Sequence, residues 1–245
     1  MFPLKDNIPT LRFPVVTVAF IALNVVAYFF WQQGGLSLGS PDSQHYFCNL
    51  VDFAVIPYEI TNPGEQVAAQ GCAPPTASTW VTLFTAMFMH GGLLHLGGNM
   101  LFLWIFGNNV EDSMGPLKFI AFYLLGGLAA TALQVAIDPD ATVPTVGASG
   151  AIAGVLGGYI LLFPRARVVT LIFIVFFVTL VELPALWVLG FWFVQQVLFG
   201  YLDLGTAGAE GGVAYFAHIG GFVFGLAAIK LFADDRKQRR QTAVS

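Results

Sequence analysis

The side chains of this sequence that could do chemistry are few, and they interrupt runs that are otherwise apolar. Ser149 stands in "VPTVGASGAIAGVLGGYILLFP", residues 143 to 164, at the mouth of an apolar helical stretch. His218 lies in "AHIGGFVFG", His90, His95 and Asn99 lie in "HGGLLHLGGN", and Glu111 and Asp112 lie in "FGNNVEDSMG". A serine hydroxyl within hydrogen-bonding reach of an imidazole is the arrangement that turns a weak nucleophile into a competent one. A serine flanked by glycine and alanine also has a purely structural use, as a small residue where two membrane helices touch.

The spacing reconciles the two uses. Gly150, Gly154 and Gly158 recur every four residues and make one side of their helix smooth, as do Gly221 and Gly225 on the last apolar stretch. His218 precedes Gly221 by three residues and so shares its face. Packing the two smooth faces brings His218 beside Ser149, where it would take the hydroxyl proton and return it to a leaving amine. His95 and Asn99 are four apart on one helical face, and with the Ser149 backbone N–H they are the candidate donors for an oxyanion. Glu111 and Asp112 belong at the far end of their span, so the reading is a Ser149–His218 dyad without an orienting carboxylate. "GASGA" is not the nucleophile elbow of soluble hydrolases, because residue 151 is alanine and no strand precedes it. A metal is the rival use of His90 and His95, but HExxH is missing and both cysteines lie elsewhere, so no metal is expected. Taken alone, His95 and Asn99 are equally suited to tying neighbouring helices together.

The elements that must position these groups are membrane helices. Apolar residues make up 57% of the chain and charged residues 10%, with mean hydropathy +0.76. A water-facing surface needs far more charge, which excludes an ordinary soluble domain. Apolar stretches near 14–33, 93–110, 117–136, 149–163, 184–202 and 214–232 predict an all-α membrane protein, a six-helix transmembrane bundle. The segment 168–182 is apolar but ends at Glu182 and Pro184, and is read as interfacial or re-entrant. With six crossings all ten Lys and Arg fall on one side, whereas Asp42, Asp52, Glu59, Glu65, Asp138, Asp140, Asp203 and Glu210 fall on the other. The positive-inside rule then places both termini in the cytoplasm, as in a bacterial plasma membrane. The expected division is a cytoplasmic N-terminus 1–13, a transmembrane domain 14–232 and a cytoplasmic tail 233–245. The first apolar run reads as a signal anchor, not a cleaved signal peptide.

A long outward loop, 34–79, follows the first span and carries Cys48 and Cys72. In an oxidising compartment the two would close a disulfide worth about 3 kcal/mol in the chain-entropy picture, and otherwise remain two thiols.

The four blocks "HGGLLHLGGN", "FGNNVEDSMG", "GASGAIAG" and "AHIGGFVFG", in this order over residues 90 to 225, resemble the rhomboid family of intramembrane serine proteases. The resemblance implies Ser149 as nucleophile, His218 as base, His95 and Asn99 at the oxyanion, close-packing Gly221 and Gly225, and a structural role for Glu111. It also implies single-span membrane proteins as substrates, cut near the outer boundary of the lipid bilayer without a cofactor, and nothing in it points to nucleic acid. Two positions depart from the family pattern. Trp80 is followed by Val81 and Thr82 where many members carry arginine, and Ala153 stands where an aromatic ring often stacks on the histidine. A non-cleaving relative that binds or chaperones transmembrane segments is the alternative function. A transporter is disfavoured, because the polar residues gather at one depth and no inverted repeat is present.

Overall fold

The structure, a computed structural model, describes residues 2–174, 177–204 and 213–234. Glu210 and the basic residues Arg236, Lys237, Arg239 and Arg240, used above to orient the chain, lie outside the described residues. The order begins with strand β1 (Phe2–Asp6) and helix α1 (Val15–Val26), which runs on as a π-helical turn, Ala27–Trp31. Helices α2 (Gln44–Phe53), α3 (Pro57–Thr61) and α4 (Thr79–Thr85) follow, and α5 (Leu93–Phe102) continues through a π-turn, Leu103–Gly107, into α6 (Asn108–Met114). Then come α7 (Pro116–Ile137), α8 (Ser149–Leu162), strands β2 (Arg167–Ile174) and β3 (Phe177–Pro184), α9 (Ala185–Asp203) and α10 (Tyr215–Phe232).

Among the described residues, α7, α9 and α10 are long and apolar enough to cross a membrane, and Val15–Trp31, Thr79–Phe88 and Ser149–Leu162 are shorter apolar helices. The described residues are mostly helical, as expected of an all-α membrane protein, and carry in addition a three-stranded sheet in the order β1-β2-β3. The piece from 168 to 182, expected to be interfacial or re-entrant, belongs to an antiparallel hairpin in which Arg167 pairs with Pro184 and Leu171 with Leu180. Its run of valine, threonine, isoleucine and phenylalanine favours a pleated surface, and an apolar run of this length is ambiguous by periodicity alone. Pairing the strands satisfies backbone groups that a short helix would leave open at both ends. β1 adds to the free edge of β2 with Phe2 opposite Leu171, so the first residues of the chain are part of the fold.

α7, α8 and α10 form the centre. Gly221 of α10 sits against Gly150 of α8, Gly225 against Gly154, and Ile229 against Gly158, so the two helices run parallel. A Cβ placed on Gly221 would lie 2.0 Å from the Gly150 carbonyl oxygen, and one on Gly225 would lie 2.0 Å from that of Gly154. Gly157 is equally committed, its missing Cβ falling 2.2 Å from the Phe222 carbonyl. Gly150 faces α7 as well, where the obstruction is Ala130 Cβ at 2.6 Å, and Gly154 lies between Gly221 and Gly126. Backbone meeting backbone is what association within lipid requires, because apolar side chains gain nothing there by leaving lipid for one another.

The end of the bundle opposite Ser149 is held by carboxylates. Helix α1 has no side-chain cap of its own. Glu111, 4% exposed, supplies one from α6, accepting from Val16 N at 3.0 Å, Thr17 N at 2.8 Å and Thr17 Oγ1 at 2.8 Å. A carboxylate at a helix N-terminus meets both the unpaired N–H groups and the positive end of the dipole. Asp112 accepts from Leu11 N at 2.7 Å. Asp6, at the end of β1, accepts from Tyr159 Oη at 2.5 Å and Asn109 Nδ2 at 2.6 Å. Burial pushes the Asp6 carboxyl up to about 6, against the hydrogen bonds from Tyr159 and Asn109 that pull it down.

Gly221→Val and Gly225→Val must separate α8 from α10 and should each cost about 3 kcal/mol or more in unfolding measurements. Gly190→Ala on α9, where a Cβ meets nothing within 4 Å, should be neutral or mildly stabilising in the same assay. For Asp6 the folded chain holds the proton more tightly than the unfolded chain, whose value is 3.8, so stability rises as pH falls through the window from about 6 to 3.8. Wild type should gain about 1 kcal/mol between about pH 7 and about pH 5, and Asp6→Asn should lose that dependence.

Candidate active site

Ser149 is the first residue of α8, and His218 lies in the first turn of α10. Because the two helices run parallel and touch through their glycines, their N-terminal ends coincide, and His218 Nε2 lies 2.8 Å from Ser149 Oγ. Both residues are half-buried. On the other ring edge, His218 Nδ1 lies 2.8 Å from Gln196 Oε1 of α9. An amide oxygen only accepts, so Nδ1 carries the proton and Nε2 presents its lone pair to the serine, a tautomer assigned from the network. The Trp192 ring packs on the imidazole with centroids 5.7 Å apart at 39°.

His95 shows the opposite tautomer. Its Nδ1 accepts from Gly91 N at 3.1 Å, which leaves the proton on Nε2. That edge closes on the residues before Ser149: a Cβ on Gly147 would lie 3.0 Å from His95 Nε2, 2.9 Å from Cε1 and 3.4 Å from Ser149 Oγ. Gly147 has φ +132°, a conformation that side-chain-bearing residues rarely adopt, and its N–H donates to Ala86 O at 2.9 Å. Asn99 is buried on the same helix as His95, and its Nδ2 donates to His95 O at 2.9 Å, leaving a second N–H on that nitrogen. His90 precedes the helix, as "HGG" suggested, because α5 begins at Leu93. Its ring stands edge-on to His95 with centroids 5.2 Å apart, and its backbone is held by the Gln32 amide and by Tyr46 Oη, which donates to His90 O at 2.8 Å.

The segment 34–79 is folded. Cys48 and Cys72 are bonded, joining α2 to the loop after α3. Asp52 accepts from Thr76 N and Ala77 N, and Glu59 accepts from Val67 N. Val55 forms an antiparallel bridge with Thr145, four residues before Ser149, through hydrogen bonds of 2.7 and 3.1 Å. A cavity of about 30 Å³, room for a single water, lies against Ser149 and is bounded by Met87, Gly127, Ala130 and Thr145.

Thus the structure brings together Ser149, His218 and His95, with Asn99 one turn further along α5. It keeps Glu111 and Asp112 at the far end of the bundle. Three residues beside the dyad escaped sequence reasoning: Gln196, Trp192 and Gly147. The signal for Gln196 was legible, since "WFVQQVLFG" sets two glutamines in an apolar span, and a polar side chain there calls for a partner.

A family model described as the Rhomboid domain matches residues 77–234, which holds Ser149, His218, His95, Asn99 and Gln196. The chain belongs to the rhomboid family. It is 29% identical over 170 residues to "Rhomboid protein 1, mitochondrial" of Saccharomyces cerevisiae, covering 66% of this chain and 46% of that one. To "Rhomboid protease GluP" of Bacillus subtilis it is 31% identical over 144 residues, covering 59% and 24% of the two chains. To the human "Presenilin-associated rhomboid-like protein, mitochondrial" it is 26% identical over 211 residues, covering 84% and 45%. The chain therefore spans between a quarter and a half of the length of these relatives.

The approach at Gly147 generates a prediction. Gly147→Ala forces His95 away from Ser149 and strains the turn, so labelling of Ser149 by a fluorophosphonate should slow at least about tenfold. An unchanged labelling rate would remove Gly147 and the His95 contact from the reactive site.

Proposed function

We propose that this chain is an intramembrane serine endopeptidase that hydrolyses peptide bonds in or near the transmembrane segments of single-span membrane proteins. The observation that carries the reading is the 2.8 Å contact between His218 Nε2 and Ser149 Oγ. It fits hydroxyl activation by an imidazole already in the accepting tautomer.

In this mechanism Ser149 Oγ attacks the scissile carbonyl carbon as its proton passes to His218 Nε2. The tetrahedral oxyanion is met by the Ser149 backbone N–H, His95 Nε2–H and the free N–H of Asn99. The first N–H groups of α8 have no partner within the helix and add positive potential at the same point. His218 then gives its proton to the leaving amine, and the C–N bond breaks to leave an acyl-serine. Water, deprotonated by the same imidazole, attacks the ester and restores Ser149. No step calls for a cofactor or metal.

The architecture proposed for this activity is six membrane crossings, with α1, α5–α6, α7, α8, α9 and α10 as the spans and both termini in the cytoplasm. In support, Lys118 Nζ donates to Phe232 O and Lys5 lies on the strand paired with β2, so these basic residues gather at the end opposite Ser149. The positive-inside rule then turns Ser149 outward, in a plasma membrane toward the side where the Cys48–Cys72 bond is stable.

The test reconstitutes the protein in liposomes with a single-span substrate and compares wild type with Ser149→Ala and His218→Ala. Cleavage by wild type should fall at least about a thousandfold in each variant, and a fluorophosphonate should label wild type on Ser149 alone. A wild-type serine inert to both substrate and fluorophosphonate would overturn the protease and leave a protein that binds membrane segments without cutting them.

A further inference from the structure

We infer that Gln196 of α9 is a positioning residue for the proposed dyad, the last member of a Ser149–His218–Gln196 hydrogen-bonded chain, with Trp192 restricting the turn of the imidazole. The inference rests on the Ser149–His218 reading. Three observations carry it. The Gln196 side chain is 6% exposed and its Oε1 lies 2.8 Å from His218 Nδ1, so a buried acceptor meets the ring edge remote from the serine. The amide is itself oriented: its Nε2 donates to Trp192 O at 3.4 Å, which turns Oε1 toward the histidine. Trp192 and Gln196 are four apart on α9 and so share a face, which sets the indole beside the imidazole at a tilt of 39° and the amide against its edge.

These contacts answer two needs of a general base. The base must present a lone pair at Nε2, which requires the neutral ring to carry its proton on Nδ1, and a pure acceptor at Nδ1 selects that tautomer. The ring must also be held against rotation about Cβ–Cγ. Ala153 offers no ring from α8, and Trp192 provides one from α9. When His218 takes the serine proton, Nδ1–H keeps its acceptor, so the positive ring is bound at both nitrogens. An amide serves here without the cost of a second buried charge, which a carboxylate would add to the resting site. The other groups around the ring are Ser149 from α8 and, as the titratable neighbour, His95 from α5.

The test compares wild type with Gln196→Ala and the isosteric Gln196→Glu. Gln196→Ala should lower kcat by about ten- to a hundredfold with KM little changed. Gln196→Glu puts an opposite charge against Nδ1 and should move the acidic limb of the kcat/KM profile upward by about one unit or more. A residue that only fills space would not shift that limb. The tautomer is read without any turnover from the imidazole ¹⁵N shifts of ¹⁵N-histidine-labelled protein. His218 should be protonated on Nδ1 in wild type and lose that preference in Gln196→Ala. An unmoved profile in Gln196→Glu, together with an unchanged His218 tautomer in Gln196→Ala, overturns the inference. Failure of wild type to cleave or be labelled, with the tautomer shift intact, would overturn only the protease.

Discussion

The site depends on the closeness of α8 and α10, and that closeness depends on the absence of side chains. The carbonyl oxygens of Gly150 and Gly154 occupy the space where Gly221 and Gly225 would carry a Cβ. Contacts of this kind let Cα–H groups approach carbonyl oxygens and gather dispersion over the whole interface, which is the attraction available between helices in lipid. They also fix register. A helix pair packed on backbone atoms cannot slide by a residue without driving a side chain into a carbonyl. The hydroxyl of Ser149 and the imidazole of His218 are therefore held at 2.8 Å by glycine contacts within the next two turns of their helices. The parallel direction matters equally, because an antiparallel pair with the same smooth faces would put the two groups at opposite ends.

Charge is sorted along the same axis. At the end holding Ser149 the histidines are oriented by neutral partners: the Gln196 amide, the Gly91 backbone N–H and the Gly147 turn. At the other end buried carboxylates cap a helix and join strand to helix through Glu111, Asp112 and Asp6. The division is physically reasonable. A carboxylate that accepts three hydrogen bonds at a helix terminus is well solvated by protein, as Glu111 is.

Much of the site was legible because polar residues in apolar runs are conspicuous. Ser149, His218, His95 and Asn99 declared themselves by type, and the four-residue glycine spacing gave the face on which Ser149 and His218 meet. What remained hidden was hidden for separate reasons. The hairpin of β2 and β3 is an apolar run whose period does not separate strand from helix, and its pairing with Phe2–Asp6 joins residues far apart in sequence. Gly147 gave no signal among so many glycines, because its importance lies in φ and in a ring that arrives from another helix. The helices and clamps within 34–79 follow from Asp52, Glu59 and Tyr46 finding backbone partners that no local pattern announces.

Those clamps show why so long a segment can be tolerated beside Ser149. The turn leading into α8 must hold a glycine at positive φ while its neighbours form no helix, and such a turn is stable only if something outside it takes its hydrogen bonds. Val55 takes those of Thr145, Tyr58 N–H donates to Ala141 O, Thr61 Oγ1 donates to Pro139 O, and Ala86 O accepts from Gly147 N. The same segment reaches the histidine wall, where Tyr46, together with Gln32 just before the segment, fixes the His90 backbone that precedes α5. Residues 34–79 therefore brace the turn before Ser149 from one side while α10 braces α8 from the other. The parallel N-termini of α8 and α10 add their dipoles where the oxyanion would form. In the proposed mechanism charge separates within the site as an oxyanion beside an imidazolium, so the low-dielectric interior would never have to hold a net ion.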